Sequence, residues 1–375
     1  MGAAARVLNL PSDLSNRDYA LLWYLGLQRR VLGDAGLKAL HPLYRSNPAH
    51  MTNLDYVRQM HYAAMSRIAH ALNGDLLRQM VRAVDSYVRD TLAVPKLRET
   101  AAAAPYVAEL DRSGHVTLPP IDATRVREMA DWFAGQPVRP GLYDAEGPLC
   151  PLSEVGEANI ANYPAATVLA CPHLAAIASD PLIVETVARH LGAPPIIVGY
   201  TAWWSFAGRA EARDAQLFHL DNADYAFCKL FVQLTDVDMD GGPHAFMPKS
   251  HDPVHIGELR AAWPEGAKAF NDWYFLTLRK SDADTRRFLG EPDYITGPAG
   301  TVFLANTRGI HKGMLPTKHD RLVCQVVYGV TPYMQGPLLD EGIFPISLSA
   351  AGGPAMARQL LDPPGDYLHR LFLTS

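Results

Sequence analysis

The hydrophobic pattern of the chain changes period after Gly192, and this change restricts the fold more than any other feature. Residues 196–206 are β-branched and aromatic, and residues 227–235 alternate between two faces. Residues 301–304 and 322–330 are two further apolar runs. Short strands with Gly and Pro turns between them, and no βαβ rhythm, predict an antiparallel sandwich or barrel rather than a doubly wound sheet.

The chain before Gly192 has mainly helical periodicity. Apolar positions three and four apart predict helices over 54–72 and 75–92, and a helix is also expected within 19–32. Residues 106–120 read as a short helix, a Gly turn and a short strand, and residues 124–133 and 180–192 as helices. The pattern of the sequence changes near residue 104. A helical N-terminal part ends there, and a region of predicted helices and strands begins.

Composition excludes several classes of protein. The 375 residues are 48% hydrophobic and carry a net charge of −5, which favours a globular fold and gives no reason to expect a nucleic-acid partner. No run of 18 apolar residues and no secretory leader is present, so we expect no membrane association and a cytoplasmic location. The four cysteines are scattered without CxxC spacing, which predicts reduced thiols.

A His-x-Asp motif stands just before the alternating run at 227–235. In an extended chain, residues i and i+2 point to the same side, so His219 and Asp221 can offer a nitrogen and an oxygen to one ion. His311, which follows the strand-turn run 300–310, is the best third ligand. Other histidines in this half of the chain leave that choice open on spacing alone: His244, His251, His255 and His319. Two histidines and one carboxylate are typical of non-haem Fe(II) oxygenases.

Arg321 lies ten residues after His311, on the next predicted strand. Its planar guanidinium could pair with both oxygens of a dicarboxylate's terminal group. Alternatively, it could pair with Asp320 or with another surface carboxylate. An isolated His-x-Asp is a weak motif. The order of His-x-Asp, strand, Gly-Gly turn, strand-turn-His and Arg makes a functional site the better interpretation.

These segments resemble the phytanoyl-CoA dioxygenase-like branch of the Fe(II)/2-oxoglutarate oxygenases. The resemblance is carried by residues 240–251 (DGGPHAFMPKSH), by residues 297–311 (GPAGTVFLANTRGIH) and by Arg321, and it spans roughly 105–332. It implies an α+β fold: a double-stranded β-helix (jelly-roll, cupin-like) core with helices packed outside and a helical N-terminal extension. The implied domains are an extension over 1–104, an oxygenase core over 105–335 and a C-terminal tail over 336–375 that packs on the core.

The sequence departs from the family at two turns. Lys249 replaces the glycine of the family's Pro-Gly-Ser-His turn, and Ala299-Gly300 replaces a glycine–aspartate pair. Both are changes that a turn tolerates. Related halogenases lack the ligand carboxylate, whereas Asp221 is present here, which favours oxygen chemistry over halogenation.

The resemblance also implies the roles of the site residues. His219, Asp221 and His311 would hold Fe(II) as the catalytic centre, and Arg321 would bind the C5 carboxylate of the co-substrate 2-oxoglutarate. The family has a second co-substrate anchor upstream, for which Ser205, Thr201 and Trp203 are candidates by position.

The expected reaction is that of a dioxygenase: O₂-dependent oxidation of an unactivated C–H bond in a small metabolite, with release of succinate and CO₂. Hydroxylation is the most expected reaction, and desaturation, ring closure and epimerisation are possible with the same oxidant. The alternatives are a 2-oxoglutarate-independent cupin-like metal enzyme and a non-catalytic binding relative. Aromatic and loop residues over 135–165 and 252–295 are expected to form the substrate lid. The N-terminal helices are expected to form a homodimer contact or a second wall of the pocket.

Overall fold

The computed structural model describes residues 78, 81–82, 85–86, 96–141, 147–221, 223–224, 226–330 and 365–369. Most of the predicted helical extension, 1–104, lies outside the described residues, as do the helices expected over 19–32 and 54–72. Most of the predicted tail, 336–375, lies outside them as well. The domain limits at 104/105 and 335/336 therefore remain predictions, as does the homodimer contact.

Four helices of the described part begin after an Asp or Ser whose side chain accepts hydrogen bonds from free backbone N–H groups. Before Pro181–Leu191, for example, the Asp180 carboxylate accepts hydrogen bonds from Leu182 N and Ile183 N, and Gly192 ends the helix in the left-handed conformation. The helices are α1 (Ala104–Ser113), α2 (Ala123–Ala134), α3 (Ala165–Leu169), α4 (Leu174–Ala178), α5 (Pro181–Leu191), α6 (Pro253–Ala261), α7 (Gly266–Asn271), α8 (Asp282–Leu289) and α9 (Gly365–Leu368).

The strands form two antiparallel sheets. The larger sheet has seven strands in the order β1-β8-β5-β10-β4-β3-β2, and the smaller has three in the order β7-β6-β9. Their bounds are β1 (His115–Leu118), β2 (Arg139–Pro140), β3 (Ile160–Asn162), β4 (Ile196–Ser205), β5 (Phe227–Gln233), β6 (His244–Phe246), β7 (Asp293–Ile295), β8 (Val302–Ala305), β9 (His311–Gly313) and β10 (Arg321–Gly329). The prediction of a mixed chain with antiparallel sheets is confirmed.

Strand β5 shows how alternation separates two cores. Leu230 and Val232 belong to the large core between the seven-stranded sheet and the helices. Phe231 faces the other way, into a small cluster that both sheets line, and it stacks on Phe303 with ring centroids 4.8 Å apart. Lys229 lies on this inner face too, so the polar residues of the inner face enter the space between the sheets.

Gly114 joins α1 to β1 in a place where only glycine fits. Its φ is +89°, and a Cβ there would lie 2.5 Å from Phe246 Cε1. The close approach lets α1 and β1 pack against β6. The predicted helix, Gly turn and strand over 106–120 are therefore confirmed.

The segment between β6 and β7, where aromatic and loop residues over 252–295 were expected to form a lid, folds into short helices. Helices α6 and α7, a π-helical turn (Asp272–Leu276) and α8 enclose aromatic rings in mutual contact that include Trp263, Phe270 and Trp273. The same apolar cluster contains Phe218, with Leu220 packed against it. These helices therefore pack against the two residues that flank His219 in the sequence.

Residues 365–369 of the tail pack on β4, where His369 Nε2 lies 2.9 Å from Tyr200 Oη. The four cysteines are free thiols, in agreement with the prediction. Within the described ranges, every helix is too short or too polar to cross a membrane.

Candidate metal centre and adjoining pocket

The segment that carries His219 and Asp221 pairs with the strand that carries His311. His219 N donates to His311 O at 2.9 Å and His311 N donates to His219 O at 2.8 Å, while Asp221 N donates to Thr307 O at 2.9 Å. These two stretches are 92 residues apart in the sequence, 311 − 219, and they become neighbours in one small ladder. The two histidine rings lie with centroids 4.3 Å apart.

In each of these histidines, one ring nitrogen is held by the backbone carbonyl two residues earlier in the chain. His219 Nδ1–H donates to the carbonyl of Leu217 at 2.8 Å, and His311 Nδ1–H donates to the carbonyl of Gly309 at 2.9 Å. Because a carbonyl can only accept, the proton is on Nδ1 and the lone pair on Nε2. Both rings therefore present Nε2 as a ligand atom, in the arrangement that orients histidine in metal sites.

One ligand atom from each of His219, Asp221 and His311 lies within 4.8 Å of the other two. His219 Nε2 is 3.7 Å from Asp221 Oδ1, and His311 Nε2 is 3.4 Å from Asp221 Oδ2. Two imidazoles and a carboxylate at these separations suit a divalent transition metal that keeps open positions for other ligands. Within the part of the chain that the structure describes, this is the one cluster of three such groups.

The environment keeps His219 neutral and Asp221 ionised. Burial lowers the pKa of His219 from 6.5 to about 3. Burial raises the pKa of the Asp221 carboxyl, but the ammonium of Lys229 beside it outweighs that effect and holds this pKa well below 3.8. Both groups are therefore in the protonation state that metal binding requires.

Lys229 is a site residue that the motif search missed. Its Nζ lies 2.6 Å from Asp221 Oδ2, and its side chain is 13% exposed. The signal was present in the sequence as a lysine on the inner face of an alternating strand. Its partner could not be inferred, because the residues between Asp221 and β5 follow no regular period.

Arg321 and Ser205 meet on neighbouring strands of the larger sheet. They are directly opposite in the β4–β10 register, and Arg321 Nη2 donates to Ser205 Oγ at 3.2 Å. Both side chains are buried. Burial lowers the pKa of Arg321 from 12.5 to about 10, so it stays cationic at neutral pH.

Thr201 lies four residues from Ser205 on β4, roughly 13 Å along the strand. It is exposed, and its hydroxyl accepts a hydrogen bond from Gln325 Nε2 at 3.3 Å. The structure therefore brings Ser205, but not Thr201, to the guanidinium of Arg321. Trp203, between them, packs on the inner apolar cluster.

The four rival histidines occupy different places. His319 is exposed, and His255 lies on α6 with Nδ1 3.7 Å from Glu258. His251 is placed so that its Nε2 lies 3.1 Å from the carbonyl of Asp111 on α1. His244, in contrast, is buried beside the centre, with its ring stacked 5.3 Å from that of His311. It is outside the three-residue ligand cluster.

Comparison with known proteins gives matches only among solved structures. No family model matches the chain, and no curated protein does. One similar structure is the epimerase SnoN in complex with Fe³⁺, alpha ketoglutarate and nogalamycin RO, at 21% identity and a TM-score of 0.41, covering 61% of this chain and 84% of that one. Similarity at this level assigns no reaction to the present chain.

Two further structures are similar to the same extent. One is HygX from Streptomyces hygroscopicus with nickel, 2-oxoglutarate and hygromycin B bound, at 15% identity and a TM-score of 0.41, covering 62% of this chain and 87% of that one. The other is EctD from S. alaskensis with bound Fe, at 17% identity and a TM-score of 0.39, covering 63% of this chain and 80% of that one.

Proposed function

We propose that this protein is a non-haem Fe(II)- and 2-oxoglutarate-dependent oxygenase built on a double-stranded β-helix core. The observation that carries the proposal is the convergence of His219, Asp221 and His311, with ligand atoms within 4.8 Å of one another, beside a buried arginine that faces the same inner space. A metal with open positions and a nearby arginine for a dicarboxylate are the two requirements of this chemistry.

The donor set fits the metal. Two neutral imidazoles and one ionised carboxylate neutralise part of the charge of Fe(II) and leave positions for a chelating keto acid and O₂. The pocket fits the co-substrate, because Arg321 is buried and its Nε has no hydrogen-bond partner among the described residues. A carboxylate would supply the missing acceptor.

When bound, iron with 2-oxoglutarate and O₂ supplies the oxidant that takes hydrogen from a substrate C–H bond, while the keto acid leaves as succinate and CO₂. The protein's own residues orient the metal ligands and exclude water from the site. The Leu217 and Gly309 carbonyls fix the imidazoles, Lys229 holds one oxygen of Asp221, and the two sheets keep the inner space apolar. Holding the reactants in one geometry is the main contribution that such a scaffold makes to the rate.

We propose a small metabolite as substrate and hydroxylation as its reaction. We propose the aromatic helices between β6 and β7, which pack against the sequence neighbours of His219, as one wall of the substrate site. Changes in such a wall alter substrate choice while the metal centre is kept.

The test is the formation of succinate by the full-length protein reconstituted with Fe(II) under anaerobic conditions and then exposed to O₂ with a metabolite library. We expect succinate that depends on Fe(II), O₂ and 2-oxoglutarate, and its loss in Asp221→Ala. Undiminished succinate in Asp221→Ala, or succinate without Fe(II), would overturn the proposal. Incorporation of ¹⁸O from ¹⁸O₂ into the oxidised metabolite, measured separately from succinate, distinguishes hydroxylation from desaturation, ring closure and epimerisation.

A further inference from the structure

Two polar atoms in the pocket beside the metal centre have no hydrogen-bond partner among the described residues: Arg321 Nε and His244 Nε2. Both side chains are deeply buried, at 5% and 7% exposure. Buried polar atoms are nearly always paired. Arg321 Nε–H requires an acceptor, and His244 Nε2 is a donor in one tautomer of the ring, so the two unpaired nitrogens indicate a polar ligand in this place.

The strand register places these two side chains together. His244 is directly opposite Gly313 in the β6–β9 pair, so a side chain at 313 would point to the same side of the sheet, with its Cβ roughly 5 Å from that of His244. A Cβ on Gly313 would lie 2.8 Å from Arg321 Nη2. The guanidinium thus occupies the space next to His244 that the glycine leaves free.

No acceptor in the described part of the chain lies within hydrogen-bond distance of His244 Nε2. Its ring packs against Phe231 at 4.9 Å and Phe303 at 5.4 Å between centroids. On the arginine side, Ser205 Oγ takes one hydrogen bond from Nη2. The pocket is therefore lined by aromatic rings, and the Arg321 guanidinium, the Ser205 hydroxyl and the His244 imidazole are its polar groups.

The pocket also lies at a suitable distance from the metal. Gly313 is two residues beyond the ligand His311 on β9, roughly 7 Å along the strand. A short dicarboxylate that binds the metal by one end can place its other end beside Arg321. The carboxylate at the far end has two oxygens with several lone pairs. One arginine nitrogen and one hydroxyl group do not use all of them.

We infer that His244 is a second anchor for the distal carboxylate of 2-oxoglutarate, donating Nε2–H to one oxygen while Arg321 and Ser205 hold the other. The inference rests on the proposed function and adds a co-substrate residue to it. His244 is a binding residue in this role and not a metal ligand, since it lies outside the three-residue cluster.

The experiment compares two keto acids on the full-length protein loaded with Mn(II), which binds without turnover. 2-Oxoglutarate has the distal carboxylate and 2-oxobutyrate lacks it, while both keep the metal-binding end. In His244→Leu, calorimetry should show 2-oxoglutarate bound about 10- to 100-fold more weakly, the effect of losing a hydrogen bond to a charged group. The affinities for 2-oxobutyrate and for Mn(II) should be unchanged.

Two further variants separate binding from packing. His244→Gln keeps an N–H near the position of Nε2 and should recover part of the preference for 2-oxoglutarate. Phe303→Leu removes a ring that packs on His244 and should lower the melting temperature without changing the ratio of the two keto-acid affinities.

Three results would contradict the inference. Unchanged 2-oxoglutarate affinity in His244→Leu would show that the imidazole is only packed in the pocket. Equal weakening of both keto acids together with Mn(II) would make His244 a metal ligand. If the unsubstituted protein binds the two keto acids equally, the proposed function itself fails, and this outcome is seen before any variant is made.

Discussion

The metal centre and the adjoining pocket share one inner space but differ in how their polar atoms are satisfied. At the centre, the Nδ1 atoms of His219 and His311 donate to carbonyls, and Asp221 pairs with Lys229. In the pocket, Arg321 Nε and His244 Nε2 have no partner among the described residues.

The difference indicates what each part is built to bind. A centre whose outer hydrogen bonds are complete has its ligand atoms already oriented and requires only an ion. A pocket with unpaired donors pays a desolvation cost until a ligand with acceptors enters. The predictions below test the two parts separately, beginning with the largest expected effect.

Removing a ligand should abolish the centre and leave the pocket intact. His311→Ala should weaken Mn(II) or Fe(II) binding by more than about 100-fold, above the range of outer-partner substitutions, because a buried ligand atom is lost. His319→Ala is the matched control, since that histidine is exposed, and its metal affinity should equal that of the unsubstituted protein. Equal loss in both variants would refute the assignment of His311.

Removing the arginine should have the opposite selectivity. Arg321→Met should weaken 2-oxoglutarate binding by about 100-fold or more, the range for truncating a buried charged partner, while the affinity for the metal alone is kept. Arg321→Lys should restore the charge but not the fixed set of N–H donors that contacts Ser205 and the carboxylate together. Titration with 2-oxoglutarate after metal loading measures both, and a co-substrate affinity equal to that of the unsubstituted protein in Arg321→Met would point to another residue.

Lys229 connects the stability of the protein to the metal. In Lys229→Met the carboxylate of Asp221 is left unpaired, which should lower the free energy of unfolding of the metal-free protein by about 1–3 kcal/mol, a discounted value because the pair is partly exposed. A bound metal replaces the lost charge, so the loss should shrink at saturating Mn(II). Denaturant unfolding with and without Mn(II) checks this, and equal losses in both states would contradict the coupling.

The pH dependence of the free energy of unfolding of the metal-free protein should reveal the protonation of His219. Its pKa in the folded state is about 3 against 6.5 unfolded, so below pH 6.5 only the unfolded chain takes up the proton. The stabilising contribution is therefore complete above pH 6.5 and is lost as pH falls towards 3, at up to about 1.4 kcal/mol per pH unit for one proton. His219→Gln should reduce this slope in urea unfolding series between pH 6.5 and 4, and an unchanged slope would contradict a neutral His219.

Much of the fold could be predicted because it is encoded locally. The helix before Gly192 follows from an Asp-Pro start and a Gly stop, and β4, β5, β8 and β10 follow from β-branched and alternating runs. The segment between β6 and β7 was expected to contain aromatic and loop residues, and its helices were not predicted. Its helices are short and interrupted by a π-helical turn, and tertiary packing of aromatic rings holds them, so no sustained period shows in the sequence.

The site divides in a similar way. His219 and Asp221 follow from their spacing in an extended segment. His311 had four rivals that only the β9 ladder separates, and Ser205 and Thr201 were equal candidates until the β4–β10 register placed Ser205 opposite Arg321. Lys229 had no motif, and His244 was considered only as a rival metal ligand, because the neighbours of both residues come from segments distant in the sequence.

The sequence by itself determined which residue types lie on the inner faces of the strands, since alternation with a period of two is a property of the extended backbone. It also determined the chemistry available to the site: two histidines, a carboxylate and an arginine in a fixed order. Tertiary structure alone decided which of these side chains meet, because sheet register is a long-range property set by the packing of whole strands. That register places Gly313 across from His244, and the space left by its missing side chain holds the guanidinium of Arg321.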